Sequence, residues 1–279
     1  MATIRAWSIA VLFLLWTLPL MPVQLVMAAL GLRGAAWLPV YYHRVVCYLL
    51  GVHVEVRGKP NATGPTLFAS NHVSWLDIPV LSTVAPVSFI AKYEIAGWPF
   101  FGWLAKLQRS VFIERKARRT ADQRDEMMVR LEKGDNLVLF PEGTSGDGIH
   151  VLAYKSAFFA LAERRIDGRP LTVQPVSIAL SHLDHMPVGR RSMSIYAWVG
   201  DQDLLPHLWH FLKSGPTRVV VEFHPPVTIE QFRTRKDLCA HCRLETMRGV
   251  DAVLTGRPIE RPLPQPPAPM LPPITAEAA

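Results

Sequence analysis

Three short stretches combine residue types that move protons and bind anionic groups. The first is NHVSWLD, Asn71 to Asp77, where a histidine precedes an aspartate by five residues. A neutral imidazole takes a proton from a hydroxyl only when its tautomer is fixed and the resulting cation is stabilised, and a nearby carboxylate does both. His72 and Asp77 are therefore a candidate base and its orienting acid, although the same residue types also cap helices. The second stretch is LFPEGTSGDG, Leu139 to Gly148, with Glu142 after an apolar run and glycines that let a substrate approach the backbone. The third, SVFIER, ends in Arg115, whose planar fork suits a phosphate or a carboxylate. Ser74 lies between His72 and Asp77, but hydrolase triads converge from separate elements and the chain has no Gly-x-Ser-x-Gly elbow.

These residues need a frame. VHVEVRG alternates as a strand does, and PTLFAS is a short apolar strand directly before Asn71. HVSWLDIPVLSTV reads as a helix start with Asn71 or Ser74 as its cap. VSFIAK and SVFIER read as strands, and EIAGWPFFGWLAKL between them as an apolar aromatic helix or interfacial loop. RRTADQRDEMMVRLEK reads as a polar amphipathic helix, and NLVLFPEGT as a buried strand running into the second loop. VLAYKSAFFALAERR is expected to be a helix; LTVQPVSIAL, SMSIYAWVG and RVVVEFHPPV are expected strands, before one last helix. The alternation implies the α/β class, a mostly parallel central sheet flanked by helices. Both candidate loops then lie at strand ends, where such sheets place ligands.

The 279 residues carry a formal charge of +7 and are 49% hydrophobic. Nucleic acid and anionic membrane are the usual partners of a basic chain, and the positive mean hydropathy favours the membrane. Arg115, Lys116, Arg118 and Arg119 form a basic run without an accompanying nucleic-acid recognition motif, so no nucleic-acid partner is expected. From Ala6 to Leu32 there is no charged residue. As one helix this run would reach ~40 Å, against a hydrocarbon core of roughly 30 Å. Pro19 and Pro22 leave a kinked span and a re-entrant hairpin as alternatives, and Arg5 and Arg33, one on each side, do not set its direction. A cleaved signal peptide is disfavoured because the run exceeds an h-region of ~7–15 residues and WLPVYYHRVVCYLLGV continues the apolar character. Trp7, Trp37, Tyr41 and Tyr42 are candidate interfacial anchors.

Residues 1–52 thus read as a membrane anchor and interfacial segment and residues 53–256 as one globular domain. Residues 257–279, crowded with proline, read as a disordered tail. Cys239 and Cys242 form half of a zinc spacing with no second pair to complete it, so no metal is expected. They lie where Leu238, Cys242, Met247, Val250 and Leu254 share a helical face, which points to core packing.

In combination and in this order, the stretches resemble the glycerolipid and lysophospholipid acyltransferase family. Its Asn-His-x4-Asp block matches Asn71, His72 and Asp77, and its Phe-Ile-x-Arg block matches Phe112, Ile113 and Arg115. Its Phe-Pro-Glu-Gly-Thr block matches Phe140, Pro141, Glu142, Gly143 and Thr144, and TVQPVSI retains Pro175 of a fourth block, with Gln174 as a departure. The resemblance implies an acyltransferase domain over residues 53–256, moving a fatty acyl group from an acyl carrier protein or coenzyme A thioester to the hydroxyl of a lysolipid. The thioester is a substrate, and no bound cofactor is implied. His72 would deprotonate that hydroxyl and Asp77 would hold the imidazole. Asn71, Arg115, Glu142, Gly143, Thr144, Ser145 and Asp147 would form the substrate-binding set. A bacterial cytoplasmic membrane, with the site facing the cytoplasm, is also implied.

The departures bear on the acceptor. Family members that acylate lysophosphatidic acid commonly continue the third block with arginine, where this chain has Ser145, then Gly146 and Asp147. Loss of a guanidinium removes a charge-assisted bond to a phosphate monoester, and Asp147 would repel a dianion, whereas a zwitterionic headgroup bearing an ammonium tolerates both changes. EGTSGDG, VLAYKSA and YAWVGDQDLLPHLW look similar to the bacterial lyso-ornithine lipid acyltransferases of this family. The expected product is ornithine lipid. Phosphatidic acid synthesis is the alternative, alone or as a second activity, and a catalytically inactive lipid-binding protein is the alternative of a different class.

Overall fold

The computed structural model describes residues 1–113, 120–200 and 202–257. Arg115, the rest of the basic run up to Arg119, and the tail beyond Arg257 lie outside these residues. Two helices come first, α1 (Ala2–Ala29) and α2 (Gly34–Leu50). The run from Ala6 is helical past both prolines, so the re-entrant hairpin within it is not formed. α1 lies along the body of the protein. Near one end Arg5 donates to the carbonyls of Leu212 and Leu50, and near the other Gln24 donates to those of Ala35 and Leu107.

The chain then forms eleven strands and six more helices among the described residues. They are β1 (Val52–Arg57), β2 (Thr66–Ser70), α3 (Asp77–Ser82), β3 (Val87–Lys92), α4 (Phe101–Leu107), β4 (Val111–Ile113), α5 (Thr120–Glu132) and β5 (Asn136–Leu139). A small hairpin of β6 (Arg165–Ile166) and β7 (Arg169–Pro170) leads into the long β8 (Thr172–Leu183) and its short partner β9 (Met186–Pro187). There follow α6 (Arg190–Tyr196), α7 (Leu204–Lys213), β10 (Thr217–Phe223), β11 (Val227–Thr228) and α8 (Arg235–Thr255).

The main sheet has the order β1-β10-β8-β2-β5-β3-β4, with β9 and β11 added along β8. Every neighbouring pair in that path is parallel except β10 with β8. The class is therefore the expected one, a mostly parallel sheet between helices. β2 is buried throughout: Phe68 packs on the side of α1, α2, α3, α6 and α7, while Leu67 and Ala69 pack on the side of α5 and α8. Opposite faces for successive residues follow from the strand's period of two.

Four local expectations are corrected. SMSIYAWVG is helix α6, not a strand: the Gly189 N–H bonds to the Ser192 hydroxyl at its start, and the inward residues Met193 and Tyr196 are three apart, a helical spacing. VLAYKSAFFALAERR is irregular up to Lys155 and 3₁₀ from Ser156 to Glu163. Its first backbone groups bond elsewhere, the Leu152 N–H to Glu142 and the Val151 and Leu152 carbonyls to Arg243, so no helical ladder closes there. The helix after His72 starts only at Asp77, and neither Asn71 nor Ser74 caps it. Met247 is exposed, unlike Leu238, Cys242 and Val250 of its expected face.

Candidate active site

The site forms at the carboxyl ends of the adjacent strands β2 and β5. Asp77, fully buried, opens α3 and folds its carboxylate back over the loop before it. Its Oδ2 accepts from the backbone N–H of Val73 at 2.6 Å and of Ser74 at 3.0 Å, and meets His72 Nδ1 at 2.7 Å. The five-residue spacing is what lets one carboxylate gather the loop and the ring together. A carboxylate accepts only, so Nδ1 carries the hydrogen and Nε2 is left as the basic nitrogen. Among the described residues none bonds to Nε2.

The imidazole stacks on Phe140, the residue that leaves β5, with centroids 4.1 Å apart and planes 18° from parallel. Phe140 stacks in turn towards Phe89 of β3. The third block thus supplies a floor that fixes the ring plane. His72 borders an apolar cavity of about 270 Å³ walled by α1, α2 and α4 and lined by Phe13, Tyr42, Trp75, Phe89, Trp98 and Trp198 among others. Tyr42 is therefore not an interfacial anchor: it faces the cavity and its hydroxyl pairs with Thr17 at 2.9 Å. Trp7, Trp37 and Tyr41 are exposed.

The structure redistributes the expected substrate-binding set. Asn71 pairs both amide atoms with the backbone of Ile178 in β8, each at 2.9 Å, which extends the β2–β8 pairing. Glu142 is also buried and faces the protein: Oε2 accepts from the His72 N–H at 3.3 Å and Oε1 from the Leu152 N–H at 3.0 Å. Both side chains are thus engaged by backbone groups around the catalytic loop. Burial pushes the Glu142 carboxyl up to about 8, with Asp77 adding to the rise and the two N–H groups and Arg243 opposing it.

Gly143 takes a left-handed conformation (φ 71°) that turns the chain away from Glu142, and Thr144 is exposed at the turn. The Ser145 hydroxyl bonds to the Trp198 carbonyl, and the next N–H, of Gly146, bonds to the His72 carbonyl at 2.8 Å. Asp147 closes its own turn, accepting from the backbone N–H groups of Ile149 and His150 and from the His150 ring. Burial raises its carboxyl, and these bonds outweigh that and leave it below its ordinary value. Arg115 lies outside the described residues.

Three participants were not singled out from the sequence. Phe140 was read as motif, not as a stacking partner. Lys155 is exposed, and its Nζ lies 3.0 Å from where a Cβ on Gly143 would stand. Tyr196, fully buried, donates its O–H to Asp77 Oδ1 at 2.9 Å. The available signal for Tyr196 was its helical spacing from Met193, which the alternation of the surrounding residues masked. Gln174, the departure in the fourth block, is structural: its amide spans Asn61, Lys59 and His224. Cys239 and Cys242 are buried free thiols, and no group of metal-ligating residues occurs among the described residues.

Comparison with known proteins bears on the family and the fold. The pattern that defines the acyltransferase family matches residues 53–179. The chain is 41% identical over 239 residues to the lyso-ornithine lipid O-acyltransferase of Rhizobium meliloti (strain 1021), covering 84% of this chain and 82% of that protein. It is 39% identical over 261 residues to the enzyme of the same name from Brucella abortus (strain 2308), covering 92% and 98%. The fold matches the crystal structure of the 1-acyl-sn-glycerophosphate (LPA) acyltransferase PlsC from Thermotoga maritima with a TM-score of 0.65 at 20% identity, over 91% of this chain and 98% of that one.

Proposed function

The chain belongs to the acyltransferase family and is an O-acyltransferase acting on a lysolipid; from that premise we propose that its acceptor is lyso-ornithine lipid and its donor an acyl carrier protein or coenzyme A thioester. One observation carries the mechanism: His72 stands at an apolar cavity with Nδ1 held by buried Asp77 and Nε2 left for substrate. Nε2 takes the proton of the acceptor hydroxyl as its oxygen attacks the thioester carbonyl. The C–S bond breaks, the new ester C–O bond remains, and the proton passes from the imidazolium to the leaving thiolate. Asp77 stabilises the imidazolium while it lasts, and the Phe140 face beneath the ring adds a cation–π contribution. The cavity takes the alkyl chain, away from water.

Three features support the ornithine headgroup. The two relatives described above bear that name. Ser145 stands where a phosphate-binding arginine is expected, and its hydroxyl is occupied by Trp198. Lys155 sets one exposed ammonium beside Gly143, suited to the single carboxylate of an amino-acid headgroup.

Membrane attachment is supported by α1, whose pattern is inverted relative to a water-facing helix. Its inward stripe holds Ala6, Ile9, Thr17 and Gln24, while Val11, Leu12, Leu15, Leu18, Val23, Leu25 and Val26 face out. It is the one described helix long and apolar enough to cross a membrane, by length and composition. Because it is fastened to the body near both ends, it lies half-embedded in the bilayer surface. The cytoplasmic face of the inner membrane, where thioesters are made, is the location that fits such a donor.

The test offers lyso-ornithine lipid and lysophosphatidic acid separately, with labelled acyl carrier protein or coenzyme A thioester, to membranes holding the wild type or His72→Ala. Ornithine lipid should form with the wild type and fall by roughly 10³-fold in the variant. Product from lysophosphatidic acid alone overturns the acceptor assignment, and undiminished transfer by His72→Ala overturns the mechanism.

A further inference from the structure

Asp77 has two oxygens, and only Oδ2 serves the histidine and its loop. The other, Oδ1, is met by the phenol of Tyr196, which lies 119 residues further along the chain. Both side chains are fully buried, so water does not substitute for either partner. The tyrosine ring belongs to the same core cluster as Val46 and Cys47 of α2 and Leu76 and Val80 around α3, and its hydroxyl is its only polar end. The residues after it return to the site: the Trp198 N–H bonds to the Val73 carbonyl at 2.9 Å, and the Trp198 carbonyl accepts from Ser145. Tyr196 is thus anchored from both the catalytic loop and the third-block loop.

We propose that Tyr196 is a positioning residue of the transfer reaction: its O–H fixes the Asp77 carboxylate in the orientation that holds His72 Nδ1 and offsets part of the carboxylate charge felt by the imidazole. The proposal rests on the assignment of His72 as base. Burial and the adjacent Asp77 hold the Tyr196 phenol well above its ordinary pKa, which keeps it a hydrogen-bond donor throughout the working range. A rigid carboxylate keeps Nε2 aimed at one point over the cavity, where small misplacements cost rate. The offset of charge also matters. With the O–H dipole removed, Asp77 stabilises the imidazolium more strongly, and His72 stays protonated, hence useless as a base, to higher pH. The other titratable groups around the pair are Glu142 from the loop after β5, Cys47 of α2 against Tyr196, and Tyr42 and His43 of α2 on the cavity wall; Arg243 of α8 faces Glu142. None of them is altered in the test.

The experiment compares kcat, KM and the pH dependence of kcat/KM for membranes carrying the wild type, Tyr196→Phe, and 3,5-difluorotyrosine installed at position 196. Phenylalanine keeps the buried ring and deletes the hydroxyl, and the difluorinated phenol fills the same site as a stronger donor. Tyr196→Phe should lower kcat by about tenfold, the scale on which partners that orient a reactive group act, with KM for both substrates within about twofold. Its acidic limb should move up by about half to one pH unit, and the difluorotyrosine limb should move down. An acidic limb that stays in place in both variants, whatever happens to kcat or to the melting temperature, marks Tyr196 as core packing and overturns the proposal. His72→Ala, measured alongside, separates the two claims: if it retains transfer, the base assignment fails, and if it is inactive while both limbs stay still, the Tyr196 role alone fails.

Discussion

Two buried carboxyl groups hold His72, Asp77 at its imidazole and Glu142 at its backbone N–H. Asp77 accepts four hydrogen bonds, from His72, Val73, Ser74 and Tyr196. Glu142 accepts two, and burial prevails, placing its pKa at about 8. Glu142 therefore keeps its proton to higher pH than an ordinary carboxyl, which spares the ring a second negative charge nearby. A stability signature follows. The folded-state pKa of Glu142 lies above its ordinary 4.5, so the folded protein holds an extra proton between about pH 4.5 and 8, and stability falls as pH rises through that window. Each pH unit inside it costs at most about 1.4 kcal/mol. Glu142→Gln cannot ionise. At pH 5 it should be the less stable protein, because its amide NH₂ faces one of the two N–H donors, and by pH 8 the gap should close or reverse. Thermal unfolding of both proteins from pH 5 to 8 checks this, and a pH-independent difference would refute it.

At the scale of elements, three segments far apart in sequence meet at one glycine. Gly148 of the third-block loop has φ +75°, and a Cβ there would lie 2.8 Å from Met193 Sδ of α6 and 2.9 Å from Val73 Cγ1 of the catalytic loop. Gly148→Ala should destabilise the protein by roughly 1–3 kcal/mol through backbone strain and overpacking. By displacing Val73 it should also lower kcat, since Val73 adjoins His72 and bonds to Asp77. Thermal melts and kcat measured on the same preparation test it, and an alanine variant with wild-type values for both refutes the contact. The same junction explains what was legible beforehand. His72 and Asp77 could be paired from the sequence because five residues and one loop separate them. β2 and β5 were legible as buried runs ending in loops. The backbone partners of Asn71 and Glu142 were not legible, because a polar side chain beside a catalytic residue gives no hint of a backbone group 70 or 107 residues away. Tyr196 was missed for the same reason, and α6 was misread because SMSIYA alternates polar and apolar residues as a strand does. Its helix is specified by what lies beneath Met193 and Tyr196, which is tertiary information.

For the whole molecule, the proposed function asks how a globular domain would meet a substrate dissolved in a bilayer. α1 answers with two faces of different duty. Phe13, Thr17, Leu20, Met21 and Gln24 wall the cavity, so the helix is part of the site. Val11, Leu12, Leu15 and Leu18 point away from the body and form an apolar surface too continuous for water. Two aromatic–cation pairs lie on elements that adjoin this helix, Lys213 over Trp209 on α7 and Lys106 over Trp103 on α4, and residues of this kind sit well at the headgroup level. On the proposed function, an acceptor lying in the leaflet would enter beside α1 without leaving the lipid. The two duties are separable by mutation. Leu12→Lys with Leu15→Lys places two charges on the outer face, where each costs up to about 3 kcal/mol on full insertion and less at the interface. The double variant should stay in the supernatant when sedimented with anionic vesicles that carry down the wild type. Neither side chain lines the cavity, so its kcat on detergent-dispersed lysolipid should remain within about twofold of wild type. Deleting α1 altogether should abolish activity in detergent as well, because the cavity then loses a wall. If the double variant still sediments with vesicles, the outer face of α1 is not the membrane-binding surface.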